Sequence, residues 1–217
     1  MIKIVTEHPH ATFSPDFLTP VGSVQDNHSN EVYLSELERV ANKKPFSYLD
    51  LGCAGGQAVV DIHNKGYVSC GVEGSDPYKM LYHSTNGVAD NWLQYKDECL
   101  FNADIAKPFN LINDEGDTHQ FDIVVAWDVL EHPKPEEIPH VIDNIKKHLD
   151  PISGIFICLI NTVESHVHQC IRPEEWWLNI FAEKGFKNIG FQFNASPRST
   201  QWPLSENDIG LMLKLGT

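Results

Sequence analysis

A glycine-rich turn between a strand pattern and a helical pattern constrains the fold of this chain more than any other sequence feature. The apolar run 46–51 leads into the turn, and the helical pattern 58–65 leaves it and ends at Gly66. A second apolar run, 67–72, follows. A strand, a crossover helix and a second strand form a βαβ unit, in which the two strands are parallel.

The rest of the chain repeats this alternation. Residues 121–127 and 154–160 are almost continuously apolar, which is typical of strands covered on both faces, and 138–149 between them has helical apolar spacing. The pattern predicts one α/β domain over 1–217, with an irregular N-terminal arm over 1–30 and a doubly wound, mostly parallel sheet in the core fold over 31–217. Further helices are predicted over 31–42, over 173–184 and from Asp76 and Pro77 onward, the last with Met80 and Leu81 directed inward. Further strands are predicted over 99–101, 186–193 and 209–215.

The length and the net charge of the chain restrict the classes of function that it can have. A chain of 217 residues is long enough for one well-cored domain, and its 41% hydrophobic content is ordinary for a globular protein. Its 16 basic and 30 acidic residues give a formal charge of −14. Because nucleic-acid binding depends on clustered cations, this charge argues against a nucleic-acid partner.

The cysteines and apolar runs predict the compartment. The five cysteines are widely spaced and form neither a CxxC pair nor a recognisable disulfide framework. The first residues lack the apolar core of a signal peptide, and the longest apolar stretch, 155–160, is too short to cross a bilayer. We therefore expect a soluble protein of the reducing cytoplasm without a membrane partner.

The turn and a downstream acid predict a nucleoside site. Small residues between a strand and a helix let a ligand approach the backbone, where the helix N-terminus offers amide donors. Glu73 lies 21 residues after Gly52, at the end of the second strand, the position from which a carboxylate binds both ribose hydroxyls. A dinucleotide fingerprint would need glycine at 52, 54 and 57, but the chain has Ala54 and Gln57.

The spacing instead resembles the first motif of class I S-adenosylmethionine-dependent methyltransferases. Asp50, Gly52, Gly55 and Gly56 carry this resemblance. It extends over about 46–215, through the segment 71–75, Asp104 with Ile105, the run 121–124 and the segment 128–132. Ala54 departs from the family, which usually has a glycine there.

The resemblance implies a seven-stranded sheet with an antiparallel last strand, S-adenosylmethionine as cofactor and S-adenosylhomocysteine as product. It implies that Asp50 and the turn serve the methionine moiety, that Glu73 binds the ribose, and that Asp104 meets the adenine amino group. The full set of expected cofactor residues is Asp50, Gly52, Cys53, Ala54, Gly55, Gly56, Glu73, Gly74, Asp104, Ile105, Ala126 and Trp127.

The catalytic candidates follow the fourth and fifth sheet strands. In-line methyl transfer needs the acceptor to be placed and water excluded, and a base helps only when the acceptor carries a proton that must leave. His168, His132 and Asp128 are the expected catalytic residues, and Glu131 and His166 are further candidates. His166, His168 and Cys170 alternate as metal-ligand types, but no acid or second cysteine pair completes a site, so no metal is expected.

The sequence also bears on the acceptor. The segment 168–177 resembles a segment of family members that act on small molecules or glycans. The motifs typical of nucleic-acid methyltransferases, Asn- or Asp-Pro-Pro and Pro-Cys, are replaced after the fourth strand by Ala126-Trp127-Asp128-Val129. We therefore expect a small molecule or a glycan unit as acceptor, in a pocket roofed by segments within 1–30, 82–98, 161–175 and 195–206. Trp92 and Trp202 are candidate lid residues, whereas Trp176 and Trp177 are expected to pack under the sheet.

Two other functions remain open at this stage. A nicotinamide-dependent oxidoreductase would share the βαβ unit and the ribose acid. A non-catalytic module could bind S-adenosylmethionine without transferring its methyl group, because no single residue is obligatory for the displacement. Nothing in the sequence indicates the oligomeric state.

Overall fold

The computed structural model describes residues 1–17, 31–75, 88–195 and 205–216. Within these residues the strands are β1 (Lys3–Thr6), β2 (Ser47–Leu51), β3 (Val68–Glu73), β4 (Leu100–Asn102), β5 (Phe109–Ile112), β6 (Ile123–Trp127), β7 (Ile155–Asn161), β8 (Phe186–Asn188) and β9 (Asp208–Leu215). The helices are α1 (Glu31–Ala41), α2 (Gln57–Asn64), α3 (Val88–Tyr95), α4 (Ile138–His148) and α5 (Glu174–Glu183).

A seven-stranded sheet has the order β4-β3-β2-β6-β7-β9-β8. The five neighbouring strands β4, β3, β2, β6 and β7 pair in parallel, whereas β9 is antiparallel to both β7 and β8. The predicted fold class, including the antiparallel last strand, is therefore confirmed. The chain turns from β2 outward to β3 on one side and later returns to β6 on the other, so a crevice opens between the carboxyl ends of β2 and β6.

Helices cover both faces of this sheet. On one face α4 buries Ile138, Val141 and Ile145 against the sheet, and Trp177 of α5 is fully buried in the same cluster, as expected. On the other face α1 and α2 contribute residues such as Leu37 to a second buried cluster. Continuous apolar strands are thus explained by burial from both sides.

The N-terminal arm is not irregular throughout, contrary to the sequence prediction. Residues Lys3–Thr6 form β1, which pairs antiparallel with β5 in a separate two-stranded sheet. Ile2 and Ile4, alternate residues on one side, pack against the main core. The strand forms because a partner about a hundred residues away offers both hydrogen bonds and an apolar surface, which no local pattern reveals.

The segment 82–98 also differs from its expected role in the roof. Its described part contains α3, and Trp92 on this helix is only 3% exposed, so it is a packing residue and not a lid. The reason is that its indole Nε1 donates to the Ala54 carbonyl at 2.9 Å. The helix predicted from Asp76 and the predicted lid residue Trp202 lie outside the described residues.

The other predicted elements agree with the structure within a few residues, except that β8 ends at Asn188 and not near residue 193. All five cysteines lie among the described residues, where they are buried and form no disulfide bond. In the described part of the chain, every helix is too short or too polar to cross a membrane.

Candidate active site

A cavity of about 280 Å³ opens at the carboxyl ends of the parallel strands. The residues that line it lie at the ends of β3, β6 and β7 and in the loops that follow β2, β3, β4, β6 and β7. The N-terminal arm contributes further lining residues. Eleven of the residues expected from the sequence line it: Gly52, Ala54, Glu73, Gly74, Asp104, Ile105, Trp127, Asp128, Glu131, His132 and His168. The parallel topology brings them together because all these loops leave the same edge of the sheet.

The glycine-rich turn has a backbone that few side chains would allow. Gly52 has φ +73°, and a Cβ placed there would lie 2.4 Å from a Val129 methyl group. Ala54 also has a positive φ of 51°. The Ala54 amide donates to Glu73 Oε2 at 2.9 Å, and its carbonyl accepts from Trp92, so the turn is held from both sides.

The Glu73 carboxylate is buried at the cavity wall. Besides the Ala54 amide on Oε2, its Oε1 accepts from the Ser75 amide at 2.8 Å. Burial raises the pKa of Glu73, although the two backbone amides act in the opposite direction. A carboxylate has about four acceptor positions, so these amides leave capacity for the hydroxyl groups of a ligand.

Asp104 lies on the same side of the cavity, in the segment after β4. Its Oδ1 accepts from the Ala106 amide at 2.9 Å, and its own amide donates to the His8 carbonyl. Burial raises the pKa of Asp104 above its ordinary value. Ile105 lies next to it as an apolar part of the wall.

The other five expected cofactor residues lie in the layer behind this wall, among the residues that the structure describes. Cys53 and Ala126 are buried, the Gly55 carbonyl accepts from the Asn91 amide group, and Gly56 is the N-cap of α2. Their expected ligand roles remain predictions.

Asp50 belongs to a buried polar network in that layer. Its Oδ2 accepts from the Tyr48 hydroxyl at 3.1 Å, and the Tyr48 and Tyr33 hydroxyls are 3.0 Å apart. Trp127, which lines the cavity, donates its indole N–H to Tyr33 at 3.0 Å. Asp50 is therefore connected to the cavity wall through hydrogen bonds between buried side chains.

The arm closes one side of the cavity. The Ala11 amide donates to the Gly74 carbonyl at 2.9 Å, which ties the arm to the loop after β3. The arm residues at the wall are Ala11, Phe13, Ser14, Asp16 and Phe17. The sequence predicts that the arm contributes to a roof, but none of these five residues could be identified from it, because they belong to no motif or periodic pattern.

Two histidines and their partners form the end of the cavity near β6 and β7. His132 Nδ1 lies 3.0 Å from Asp16 Oδ2, and the ring centroids of His132 and His168 are 5.1 Å apart. Burial disfavours the charged forms of both Asp16 and His132, but their mutual attraction outweighs it. The pKa of Asp16 is therefore lowered and that of His132 is raised.

Glu131 is the most buried acid at this end, with 0% of its surface exposed. Its Oε1 accepts from the Asn161 amide at 3.2 Å, whereas Oε2 is buried without a partner among the described residues. Burial, reinforced by the nearby Asp128 charge, raises the pKa of Glu131 to about 8. Asp128 itself lines the cavity just after β6, whereas His166 is exposed to solvent.

Comparison with known proteins identifies the family. A family model for a methyltransferase domain matches residues 26–194, most of the 217-residue chain. A search of curated proteins gave no match.

Solved structures share the fold at low identity. A methyltransferase from Clostridium acetobutylicum is 14% identical with a TM-score of 0.59, over 85% of this chain and 90% of that chain. The 1,6-didemethyltoxoflavin-N1-methyltransferase of Burkholderia thailandensis, solved with 1,6-didemethyltoxoflavin and S-adenosylhomocysteine, is 14% identical with a TM-score of 0.61, over 95% and 87%. The glycopeptide N-methyltransferase MtfA, solved with sinefungin, is 13% identical with a TM-score of 0.53, over 88% and 96%.

The family match covers the glycine-rich turn, Glu73 at the end of β3, and the loops that contain His132 and His168. The sheet has the topology that the resemblance implied. This chain therefore belongs to the class I S-adenosylmethionine-dependent methyltransferases, enzymes that use S-adenosylmethionine as cofactor.

Proposed function

We propose that this enzyme methylates a small molecule or a glycan unit, which binds at the histidine end of the cavity. The observation that carries the proposal is that one cavity is lined both by Glu73 and Asp104, from the β3 and β4 side of the sheet, and by His132 and His168, from the β6 and β7 side. A cofactor on the first pair of residues and an acceptor beside the second pair would meet in one enclosed space.

The cofactor end fits an adenosyl group. Glu73 retains acceptor capacity for two ribose hydroxyls, Asp104 can accept from the adenine amino group, and Ile105 offers an apolar contact for the ring. Gly52 leaves room at the turn that a side chain would fill. The bound cofactor supplies an activated methyl group on a sulfonium. The acidic residues of the wall attract this positively charged sulfonium more strongly than they attract the neutral sulfide of the product.

The acceptor end offers a proton acceptor and a means of positioning. His168 Nδ1 lies 2.7 Å from the Val163 carbonyl, so this nitrogen is the donor, and in the neutral ring Nε2 then has a free lone pair. His168 is therefore the proposed general base for a hydroxyl or an ammonium acceptor, with His132 and Asp128 beside it. Enclosure by the arm would hold the acceptor in line and exclude water.

The size and charge of the site favour a small acceptor. The arm closes one side of the cavity, and the chain's charge of −14 opposes polyanions. The similar Burkholderia enzyme is named for 1,6-didemethyltoxoflavin, and MtfA is named as a glycopeptide N-methyltransferase. No observation favours a nicotinamide-dependent oxidoreductase or a module without transfer activity. Five buried cysteines, all among the described residues and none in a disulfide bond, also support our proposal that the protein works in the reducing cytoplasm.

Labelled methyl transfer tests the proposal. The protein is incubated with S-adenosylmethionine labelled on its methyl group and, separately, with tRNA, duplex DNA, a protein extract and a small-metabolite fraction containing oligosaccharides. We expect label chiefly in the last fraction. Label that appears mainly in nucleic acid or protein would contradict the proposed acceptor class.

The base is tested in the same assay with His168→Ala. We expect turnover on the labelled fraction to fall about 100-fold while S-adenosylhomocysteine binds as before, because His168 follows β7, which β2 and β6 separate from the Glu73 strand. His166→Ala, an exposed histidine two residues away, is the matched control and keeps the parent rate. Unchanged turnover in His168→Ala would remove this residue from the mechanism.

A further inference from the structure

Three potential metal ligands meet at the acceptor end of the cavity. Glu131, His132 and His168 each offer a ligand atom, and these atoms all lie within 4.8 Å of one another. The first two follow β6 and the third follows β7, so the sheet topology and not the local sequence brings them together.

Each of these side chains is held through one polar atom and leaves the other for a ligand. Glu131 is held by the Asn161 amide on Oε1, His132 by Asp16 near Nδ1, and His168 by the Val163 carbonyl at Nδ1. Metal-binding histidines are oriented in this way, with a carboxylate or a carbonyl on the nitrogen that does not bind the metal.

Glu131 supplies a second and independent indication. Its Oε2 is buried without a hydrogen-bond partner among the described residues, at a carboxylate that lines the cavity. Leaving such an oxygen unpartnered in the protein interior costs free energy, and a cation would satisfy it.

We propose that Glu131, His132 and His168 bind a divalent transition-metal ion of the zinc class, with a coordination position open to the cavity. Two imidazole nitrogens and one carboxylate oxygen form a ligand set of catalytic zinc sites, which keep a fourth position for water or substrate. Zinc bonds of about 2.0–2.1 Å require the ligand atoms to approach to roughly 3.4 Å. His168 is only partly buried and lies on a loop, so we expect it to contribute to that movement.

The inference deepens the proposed function, because the open position would hold an oxygen or nitrogen atom of the acceptor. An ion here takes the His168 lone pair, so it would replace direct proton transfer to that residue. A hydroxyl bound to the ion would lose its proton to solvent more easily than a free one.

Metal titration of the purified full chain tests the site without knowledge of the acceptor. Protein stripped with a chelator and dialysed is titrated with ZnCl₂ by calorimetry. We expect one ion per chain, and at least 100-fold weaker binding in His132→Ala, His168→Ala and Glu131→Gln. His166→Ala is the matched control and should bind as the parent does.

Two results would overturn the ion site: no zinc binding by the folded parent, or parent-like affinity in all three variants. Thermal melts check folding, and His168→Ala carries the test alone if Glu131→Gln unfolds. Parallel titration with S-adenosylhomocysteine separates the proposals. Binding of the nucleoside without zinc overturns the ion site only, whereas binding of zinc without the nucleoside removes the basis of the proposed function.

Discussion

At the scale of single residues, Glu73 connects the turn after β2 with the loop after β3. The carboxylate accepts the amides of Ala54 and Ser75 and faces the cavity. The sequence predicted this acid because its distance from the first glycine follows from the length of a βαβ unit. No such rule connects Asp16, His132 and His168, since their proximity depends on loops and on an arm whose path the sequence does not specify.

Glu73→Gln should weaken S-adenosylhomocysteine binding about 10- to 100-fold, measured by calorimetry. The reason is that a hydrogen bond to a charged group contributes roughly 1.5–3 kcal/mol, and the amide keeps the shape but loses the charge. Glu98→Gln, an exposed acid paired with His63, is the control. Parent-like affinity in a folded Glu73→Gln protein would show that the ribose acid has been misassigned.

At the scale of elements, the alternation of apolar runs and helical spacing predicted the main strands and helices, since burial on both faces of a parallel sheet requires that pattern. It missed β1 and β5. The alternating run Phe109–Ile112 is short and contains Asn110, and its pairing is decided by the distant arm. The sequence pattern also gave no indication that α3 supports the glycine-rich turn, because a single indole hydrogen bond produces no recognisable pattern of residues.

Trp92→Phe tests the support that α3 gives to the turn. Phenylalanine keeps an apolar ring but loses the donor to the Ala54 carbonyl, so one buried hydrogen bond of about 1 kcal/mol is removed. We expect S-adenosylhomocysteine affinity to fall about fivefold in calorimetry, with Trp176→Phe on α5 unchanged. Equal affinities in the parent and Trp92→Phe would mean that the turn keeps its shape without α3.

At the scale of the whole molecule, His148 links α4 to the two-stranded sheet. Its Nδ1 lies 2.8 Å from the Asn144 carbonyl, its Nε2 accepts from the Leu111 amide at 3.0 Å, and its ring stacks on Phe109. Nε2 can accept from Leu111 only in the neutral ring, whereas the bond from Nδ1 to the Asn144 carbonyl forms in either protonation state. Burial lowers the pKa of His148 to about 4, although the Asn144 bond acts in the opposite direction. In the unfolded chain the pKa of a histidine is about 6.5, so the unfolded state binds more protons between these values.

The free energy of unfolding should therefore fall as the pH drops from about 6.5 toward 4, by up to about 3 kcal/mol from this residue. Urea denaturation at several pH values measures it. Because other buried acids titrate as well, the decisive quantity is the difference between the parent and His148→Gln, which should lose this part of the pH dependence. His140→Gln, exposed on the same helix, should behave as the parent. A parallel pH profile for His148→Gln and the parent would contradict the assignment.

The arm has a consequence for how acceptor choice can diverge. The family match begins at residue 26, so the arm segment that lines the cavity lies outside it, while Glu73 and the glycine-rich turn lie within it. The residues expected to bind the cofactor thus lie within the family match, whereas part of the cavity wall comes from a segment outside it that is joined to the fold by β1 and the Ala11–Gly74 hydrogen bond. We therefore expect differences in this short segment between family members to alter the wall of the cavity while the family scaffold stays the same.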